Sequence, residues 1–423
     1  MIFTIFEDQN YTSLFPLNLN RASFELRCGA FTNLERIENL LSPDDTVQLI
    51  VRDELAPLIL ERFPNIAINP DLLSPGIWLN GGGLWMGKIL KDISSGRSYT
   101  KNGKVIAIHS NDTVPLSDLH QFLDKVSLVS TEIDIQFIEN VWDGIFLQSD
   151  VITSDAQYFI EYKRGKIHPS VAIENGDNIY IGDGSEIRAG SVLDAHLGPI
   201  IIASNSCIDI GSLIQGPVYI GPSCRINPGA KVRGNVTLGP MCKIGGEIED
   251  VIFQGYSNKQ HDGFLGHSYI GEWVNLGANT NNSDLKNNYG SICLNIEDKI
   301  IETGKKFLGT MMGDYSRTGI STMLNTGTII GLGANIFGAG FQDKYIPSFQ
   351  WGRDSRTELD KFLLTAENMK KRRGNKMSHE EKAFLKKLGI EKRDHFYQLS
   401  KEGKIPKNIP MKPSRVYSKK RKK

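Results

Sequence analysis

The chain has 423 residues, enough for two or three domains of ordinary size. Its 49 Lys and Arg residues balance 48 Asp and Glu residues, so the formal net charge of +1 argues against a nucleic-acid binder. No apolar stretch is long enough to span a membrane, and the N-terminus lacks the basic start and cleavage site of a signal peptide. The five cysteines have no metal-ligand spacing. These features predict a cytoplasmic protein that contacts no membrane and has no structural metal site.

The first 150 residues alternate between strand-like and helix-like segments. A buried strand is expected at 47–51, followed by a helix at 55–63, and further strands are expected at 77–80 and 105–108. A helix at 117–128 should follow. Strand–helix alternation predicts an α/β domain over residues 1–150 with a largely parallel sheet.

The middle of the chain contains a six-residue repeat. Its apolar positions, which include one threonine, are Ile220, Ile226, Val232, Leu238, Ile244, Ile270, Leu276, Met312, Thr318, Leu324, Ile330 and Ile336. Neither an α-helix nor a simple strand has this period, whereas a hexapeptide-repeat parallel β-helix does. One residue per side points inward, and glycines fill the tight corners. The repeat predicts a β-helix domain over residues 151–350, either enzymatic or a structural solenoid without chemistry.

Two irregular stretches interrupt the repeat, at 254–262 and at 281–306. The longer one is expected to project from one face, where binding is common in solenoids. Residues 351–423 form a third, helical and basic segment. Helical spacing at 357–372 and a capping box opening a helix at 378–388 predict two helices that could cap the open end of the β-helix. The basic end, 418–423, is predicted to be solvated, with RNA or membrane attachment as the alternative.

His261 is the leading candidate for catalysis. It lies in the shorter interruption beside glycines that let a substrate approach the backbone. An imidazole that titrates near neutrality can take a proton from an amine or hydroxyl as it attacks a thioester. The alternative is a histidine that merely packs on the surface.

The segments around His261 carry a family resemblance. Residues 221–230 (GPSCRINPGA), 259–266 (KQHDGFLG) and 270–280 (IGEWVNLGANT) resemble the C-terminal half of the bifunctional N-acetylglucosamine-1-phosphate uridyltransferase/glucosamine-1-phosphate acetyltransferase family. Residues 303–314 resemble the related sugar-1-phosphate nucleotidylyltransferases. The resemblance extends over about residues 1–390 and is strongest at 215–350.

This resemblance implies a left-handed β-helix, assembly as a homotrimer, and acetyl-CoA bound between neighbouring coils. It makes His261 the general base, Arg225 the group that holds a sugar phosphate, and Asn275 the group that orients the sugar. Phe264 stands where the family has a tyrosine, and Glu249 lies near the position of a family lysine. Lys259 or Lys286 could take over substrate binding from that lysine.

The N-terminal domain departs further from the family. Active relatives open with a glycine-rich loop whose backbone N–H groups hold the nucleotide phosphates. Residues 14–18 and Arg21 resemble the end of that signature, but no glycine precedes them. Arg21 and Arg27 are the remaining phosphate candidates, with surface or interdomain salt bridges as the alternative. The glycine run at 81–83 is a weaker phosphate candidate.

Three functions follow from these patterns. The first is transfer of an acyl group from acetyl-CoA to an amino-sugar phosphate or nucleotide sugar. The second is sugar-1-phosphate nucleotidyl transfer at the N-terminal domain, where Mg²⁺ would neutralise the phosphates. The third is a non-catalytic scaffold that binds sugar nucleotides. The first two make the protein a transferase.

Overall fold

The computed structural model describes residues 1–401 except 88, 128, 297, 298 and 354, with side chains described up to residue 392. The basic end at 418–423 lies outside the described residues. Within the described part, no helix combines the length and apolar character needed to cross a membrane.

The N-terminal domain is built on a seven-stranded sheet. Its strand order is β11-β8-β9-β7-β1-β4-β5. The strands of this domain are β1 (Ile2–Phe6), β2 (Arg27–Cys28), β3 (Phe31–Thr32), β4 (Thr46–Ile50), β5 (Ala67–Ile68), β6 (Leu72–Leu73), β7 (Gly76–Asn80), β8 (Ser98–Lys101), β9 (Lys104–Ser110), β10 (Val114–Pro115) and β11 (Thr131–Glu132). Its helices are α1 (Asn33–Glu38), α2 (Ala56–Arg62), α3 (Leu119–Ser127) and α4 (Asp143–Asp155).

The sheet is mixed rather than largely parallel. Strands β7, β1, β4 and β5 are parallel, as expected, but β9 runs antiparallel to both β7 and β8. Asn102 and Gly103 join β8 to β9, and both have positive φ values (51° and 77°). This two-residue turn closes a tight hairpin, which leaves no room for the crossover that a parallel pair needs.

The β-helix has three faces. Face 1 consists of β12 (Lys166–Ile167), β15 (Glu186–Ile187), β18 (Cys207–Ile208), β21 (Arg225–Ile226), β24 (Lys243–Ile244), β26 (Asn258–Lys259), β32 (Arg317–Thr318), β35 (Asn335–Ile336), β37 (Gln350–Trp351) and the antiparallel β38 (Ser355–Arg356). Face 2 consists of β13 (Ala172–Glu174), β16 (Val192–Asp194), β19 (Leu213–Gln215), β22 (Lys231–Arg233), β28 (Asn281–Asn282) and β33 (Met323–Leu324). Face 3 consists of β14 (Ile179–Ile181), β17 (Ile200–Ile202), β20 (Val218–Ile220), β23 (Val236–Leu238), β31 (Thr310–Met312), β34 (Thr328–Ile330) and β36 (Tyr345–Ile346). Two long strands, β25 (Glu247–Gly255) and β27 (Phe264–Glu272), continue from face 2 onto face 3.

The repeat positions fill the interior of these coils. Ile220, Ile226, Val232, Leu238 and Ile244 are each at most 1% exposed and belong to one continuous core. Matching positions of successive coils pair in parallel, so each aliphatic side chain stacks on the next. The predicted fold class is confirmed: an α/β domain, a parallel β-helix and C-terminal helices. The domain boundaries at 150/151 and 350/351 remain predictions.

The longer interruption packs against the protein instead of projecting freely. It contains the hairpin β29 (Cys293–Ile296) and β30 (Lys299–Glu302). Ile292, Leu294 and Leu308 lie in one buried cluster with Trp142 and Ile145 of the N-terminal domain. The segment therefore fills the angle between face 3 and α4, because both surfaces are apolar there.

The C-terminal helices α5 (Leu359–Lys371) and α6 (His379–Lys401) pack on the side of the β-helix. Their cluster includes Trp273, Tyr315, Leu332 and Phe349, which stand in four corners along one side of the β-helix. Tyr315 donates a hydrogen bond of 2.6 Å to Glu381 of α6. These contacts lie on the side of the β-helix, whereas the helices were predicted to cap its open end. At that end, β38 pairs with β37, the last parallel strand of face 1.

Candidate active site

Face 1 presents a ladder of polar side chains to solvent. Arg225, Lys243, Asn258 and Asn275 pair in register on successive strands. Arg225 is two strands from Asn258, and Asn275 is one strand beyond Asn258. Neighbouring strands lie about 4.8 Å apart. The structure therefore places two of the predicted substrate-binding residues, Arg225 and Asn275, on the same face.

His261 lies in the turn that follows this face. The turn is held by two contacts: the side chain of Asn227 donates to the Gln260 carbonyl at 2.8 Å, and the Asn279 N–H donates to the Asp262 carbonyl at 2.9 Å. His261 is exposed. No described side chain hydrogen-bonds its imidazole, so both ring nitrogens are accessible from solvent.

Lys259 lies inside the coil, away from any substrate on the surface. It pairs with Ile244 at an inward position and is 1% exposed. Its ammonium donates to the carbonyls of Gly245 (3.1 Å) and His261 (3.0 Å). Burial lowers the pKa of Lys259 to about 8, although the charge of Asp262 opposes this. Lys259 thus fixes the backbone of His261 and does not face a ligand site.

Lys286 belongs to the longer interruption and not to face 1. Its ammonium donates a short hydrogen bond to the carbonyl of Ser291. It stands two residues after Asp284, whose neighbour Leu285 bridges to Phe307. Within one chain, the structure does not bring Lys286 together with Arg225 and Asn275.

The two N-terminal arginines have protein partners. Arg21 is 3% exposed and forms a short ion pair with Asp314 of the β-helix, with Glu272 at 3.4 Å. Arg27 donates to the Ala30 carbonyl and lies 3.3 Å from Glu35. These contacts correspond to the salt-bridge alternative, which is an interdomain pair in the case of Arg21.

The N-terminal domain contains a cavity of about 760 Å³ at the carboxyl ends of β1 and β4. Open α/β sheets bind ligands at this edge. Glu7, Asp8, Asp53, Asp71, Arg52 and His120 contribute to its lining. Arg52 is bound to Glu7 through two 2.7 Å contacts, so it is not available as a free phosphate ligand.

The glycine run at 81–83 is packed rather than open. A Cβ at Gly81 would meet Phe24 at 2.9 Å, and one at Gly82 would meet Phe137 at 2.8 Å. These glycines let the backbone pass close to aromatic side chains. Close packing accounts for them without a bound phosphate.

The described residues do not fit a tightly held Mg²⁺. No group of three or more His, Cys, Asp or Glu side chains among them is arranged to hold a metal ion. A nucleotide could still bring Mg²⁺ on its own phosphates, but no protein ligand set supports a step through that metal.

A second histidine site was not predicted. His267 is 15% exposed; its Nδ1 lies 2.8 Å from Asp284, and its Nε2 lies 3.6 Å from Asp250. Its ring stacks on Phe307 at 5.1 Å. Burial lowers the pKa of His267, but the hydrogen bond to Asp284 and the charge of Asp250 outweigh it, so the pKa is raised. Asp250, His267 and Asp284 follow one another at intervals of 17 residues, which is close to the length of one coil. This spacing was the feature of the sequence from which their contact could have been predicted.

The comparisons with known proteins agree with this architecture. Residues 3–164 match the family described as "Sugar nucleotidyl transferase". A "Bifunctional sugar-1-phosphate nucleotidylyltransferase/acetyltransferase" from Sulfurisphaera tokodaii is 36% identical over 89 residues, which are 21% of this chain and 22% of the relative. The "Bifunctional protein GlmU" of Methanocaldococcus jannaschii is 32% identical over 110 residues, 26% of this chain and 27% of the relative. The matches thus cover about a quarter of each curated relative.

Solved acyltransferases are also similar, at low scores. The UDP-N-acetylglucosamine acyltransferase from Campylobacter jejuni has a TM-score of 0.33 and 18% identity, covering 58% of this chain and 93% of that one. The enzyme from Francisella novicida has a TM-score of 0.26 and 15% identity, covering 60% and 94%. The parallel pairing of successive coils shows the β-helix independently of these scores.

Fold and sequence together define a class of protein in which an α/β domain is joined to a hexapeptide-repeat β-helix. Within that class, the chain is similar to the sugar nucleotidyl transferase family over residues 3–164, and to the two curated bifunctional relatives over about a quarter of its length.

Proposed function

We propose that the protein is a transferase that moves an acetyl group from acetyl-CoA to the amine of an amino-sugar phosphate or nucleotide sugar. One observation carries the proposal: Arg225 and Asn275 lie on face 1, and the exposed His261 stands in the turn that follows it. The names of the curated relatives, which combine nucleotidyl and acetyl transfer, support the same chemistry.

In this mechanism His261 takes the proton of the acceptor amine as its nitrogen attacks the thioester carbon. The tetrahedral oxyanion then collapses, the C–S bond breaks, and CoA leaves as the thiol after taking up a proton. Arg225 would hold a phosphate of the acceptor. It is bonded to Asp209 at 2.6 Å, but its side chain is 52% exposed and so retains N–H groups for a ligand.

His267 is a weaker candidate for the base. A carboxylate faces each of its ring nitrogens, and its raised pKa favours the imidazolium form. An imidazolium has no lone pair to accept a proton. His261 has no such partner among the described residues, so it is the better general base.

A homotrimer forms part of this proposal. The turns that follow face 1 expose Ile210 (53%), Ile320 (79%) and Phe337 (43%), and face 2 exposes Phe341 (57%) nearby. Exposed apolar side chains on one edge of a solenoid are typical of an interface. A neighbouring subunit at this edge would approach His261 and could supply the group that orients its imidazole.

Thermal shifts test which ligands the full chain binds. The panel consists of acetyl-CoA, CoA, UTP, dTTP and sugar phosphates, each with Mg²⁺. We expect acetyl-CoA and CoA to raise the unfolding midpoint, because a ligand that binds only the folded state stabilises it. A shift with nucleotides and none with CoA would contradict acyl transfer.

Nucleotide binding at the N-terminal cavity is the second candidate. The cavity at the carboxyl ends of β1 and β4 and the family match over residues 3–164 favour it. Its lining is rich in carboxylates and lacks a glycine-rich phosphate loop. A nucleotide that raises the unfolding midpoint of wild type, and raises it further in an Asp53→Lys variant that adds a cation to the lining, would support this second site; no shift with any nucleotide would reject it.

A further inference from the structure

Lys243 is an unneutralised cation at the centre of face 1. It stands directly opposite Arg225 on the neighbouring strand, and like charges in that position destabilise a sheet. Asp209 neutralises Arg225 and also contacts Arg188. Among the described residues, no carboxylate forms an ion pair with Lys243.

The C-terminal segment brings further positive charge to the same place. Arg373, between α5 and α6, donates to the Met241 carbonyl at 3.2 Å and to Asn258 Oδ1 at 2.6 Å. Both acceptors are uncharged, so the guanidinium keeps its charge. Burial lowers the pKa of Lys243, and the charges of Arg373, Arg225 and Arg372 lower it further. In the described part of the chain, neither Arg372 nor Arg373 has an ion-pair partner.

We propose that Arg225, Lys243 and Arg373, together called the cationic seam, bind the phosphate groups of a phosphate ester. An anion with several oxygens would relieve the repulsion along the seam and accept charge-assisted hydrogen bonds from its side chains. Strands about 4.8 Å apart suit a ligand with more than one phosphate oxygen within reach. The inference rests on the proposed function for the source of the ester, which is either CoA or the sugar-phosphate acceptor.

The role of the C-terminal helices follows from this assignment. Tyr315 and Lys370 both bond to Glu381, which fixes the two helices to each other and to the β-helix. The loop between the helices then delivers Arg373 onto face 1. The helices would therefore complete a ligand site as well as pack the flank.

Calorimetric titration of the full chain with inorganic pyrophosphate tests the seam. The variants are Lys243→Gln and Arg373→Gln; the matched control is Lys231→Gln, which removes a charge from face 2 of the same coil region. We expect each seam variant to bind pyrophosphate about tenfold more weakly than wild type and the control to be unchanged. Equal affinity in wild type and Lys243→Gln would overturn the proposal, and so would the absence of pyrophosphate binding in wild type. Within the described ranges, the side chain of Lys243 forms no ion pair or hydrogen bond, so this variant should fold even if Arg373→Gln loosens the helices.

Competition then identifies the source of the phosphate. Displacement of pyrophosphate by CoA assigns the seam to the acyl donor, and displacement by glucosamine-1-phosphate assigns it to the acceptor; each result supports the seam. Displacement by neither would overturn its role in binding an organic phosphate ester. Pyrophosphate binding without any acetyl turnover would count against the proposed acetyl transfer and not against the cationic seam. Failure of the proposed function and failure of the seam are therefore distinguishable.

Discussion

At the scale of single residues, Lys259 is a charged side chain at an interior position of the β-helix, where its neighbours on face 1 are aliphatic. Lys259 stacks on Ile244, and its ammonium binds two backbone carbonyls, that of Gly245 in the corner of the preceding coil and that of His261 itself. Taking a charge out of water is costly, which is why its pKa is lowered. The side chain of Lys259 therefore fixes the backbone of His261 from inside the coil.

The lowered pKa of Lys259 predicts a pH dependence of stability. The folded state disfavours the ammonium, so this penalty is full below about pH 8 and disappears above the unfolded value near 10.4. The free energy of unfolding should thus gain about 3 kcal/mol between these limits. Urea unfolding of wild type and Lys259→Met across pH 7.5–10.5 measures it. An identical pH dependence in both proteins would contradict the assignment.

The family resemblance of residues 221–230, 259–266 and 270–280 is what predicted His261, Arg225 and Asn275 as a group; the structure places Arg225 and Asn275 on face 1 and His261 in the turn that follows it. The sequence could not place Lys259. Only 15 residues separate Lys243 from Asn258, instead of 18 as between Arg225 and Lys243, so the repeat loses its register where β25 runs straight across two faces. Which residues point inward after that break depends on the backbone path and not on the period.

At the scale of elements, His267 fastens the longer interruption to the β-helix. Its imidazole ring lies between Asp250 of β25 and Asp284 at the start of that segment. The segment packs on α4 as well. This contact explains why an insertion of irregular sequence has a defined position.

The raised pKa of His267 gives the second pH prediction. The ion pairs need the protonated ring, so their stabilisation is full below the ordinary value near 6.5 and is lost as pH rises through the raised pKa. Hydrogen exchange of residues 283–309 should accelerate over that range, beyond the intrinsic pH effect, in wild type but not in His267→Gln. His196→Gln, an exposed His–Asp pair on another coil, is the control. The same pH response in His267→Gln and wild type would be inconsistent with this role.

The helical elements show what sequence periodicity leaves open. Ser378 caps α6, as expected, through a 3.0 Å bond from the Glu381 N–H. The apolar stripe of α5 also forms, with Phe362 and Leu363 buried. An apolar stripe indicates that one face of a helix is buried, but it does not identify the surface that buries it. The contact of the helices with Trp273 and Tyr315 on the side of the β-helix could therefore not be predicted.

At the scale of the whole molecule, a buried ion pair joins the two large domains: Arg21 of the N-terminal domain pairs with Asp314 of the β-helix. A second buried pair, Arg36 with Asp155, fixes the end of α4 to the rest of the N-terminal domain; all four side chains are at most 3% exposed. Such pairs add little by themselves, but loss of one partner leaves a buried charge unpaired. The Arg21–Asp314 pair holds the N-terminal domain in one position on face 3.

Asp314→Asn should destabilise the protein by about 3 kcal/mol because it leaves the buried guanidinium of Arg21 without its main counter-ion. The matched control is Asp183→Asn, which breaks an exposed pair with Arg164 at 3.5 Å and should cost at most about 0.5 kcal/mol. Chemical unfolding measures both. Equal small effects would show that the interdomain pair is not needed.

The trimer prediction also belongs to this scale. Ile320→Asp places a charge on the exposed apolar edge near His261 and should shift the assembly towards monomer in light scattering. Leu60→Asp, on the exposed side of α2 in the N-terminal domain, is the control and should leave the mass unchanged. A monomeric wild type would contradict the proposed assembly.

The rate of CoA release from acetyl-CoA with amino-sugar phosphates, compared between wild type and His261→Ala, tests the central claim most directly. Removal of a general base typically costs 10²–10⁴-fold, so we expect a fall of about 10²-fold or more in kcat, while His267→Gln keeps most of the wild-type rate. Undiminished turnover in His261→Ala would contradict the role of His261 and, with it, the active site proposed on face 1.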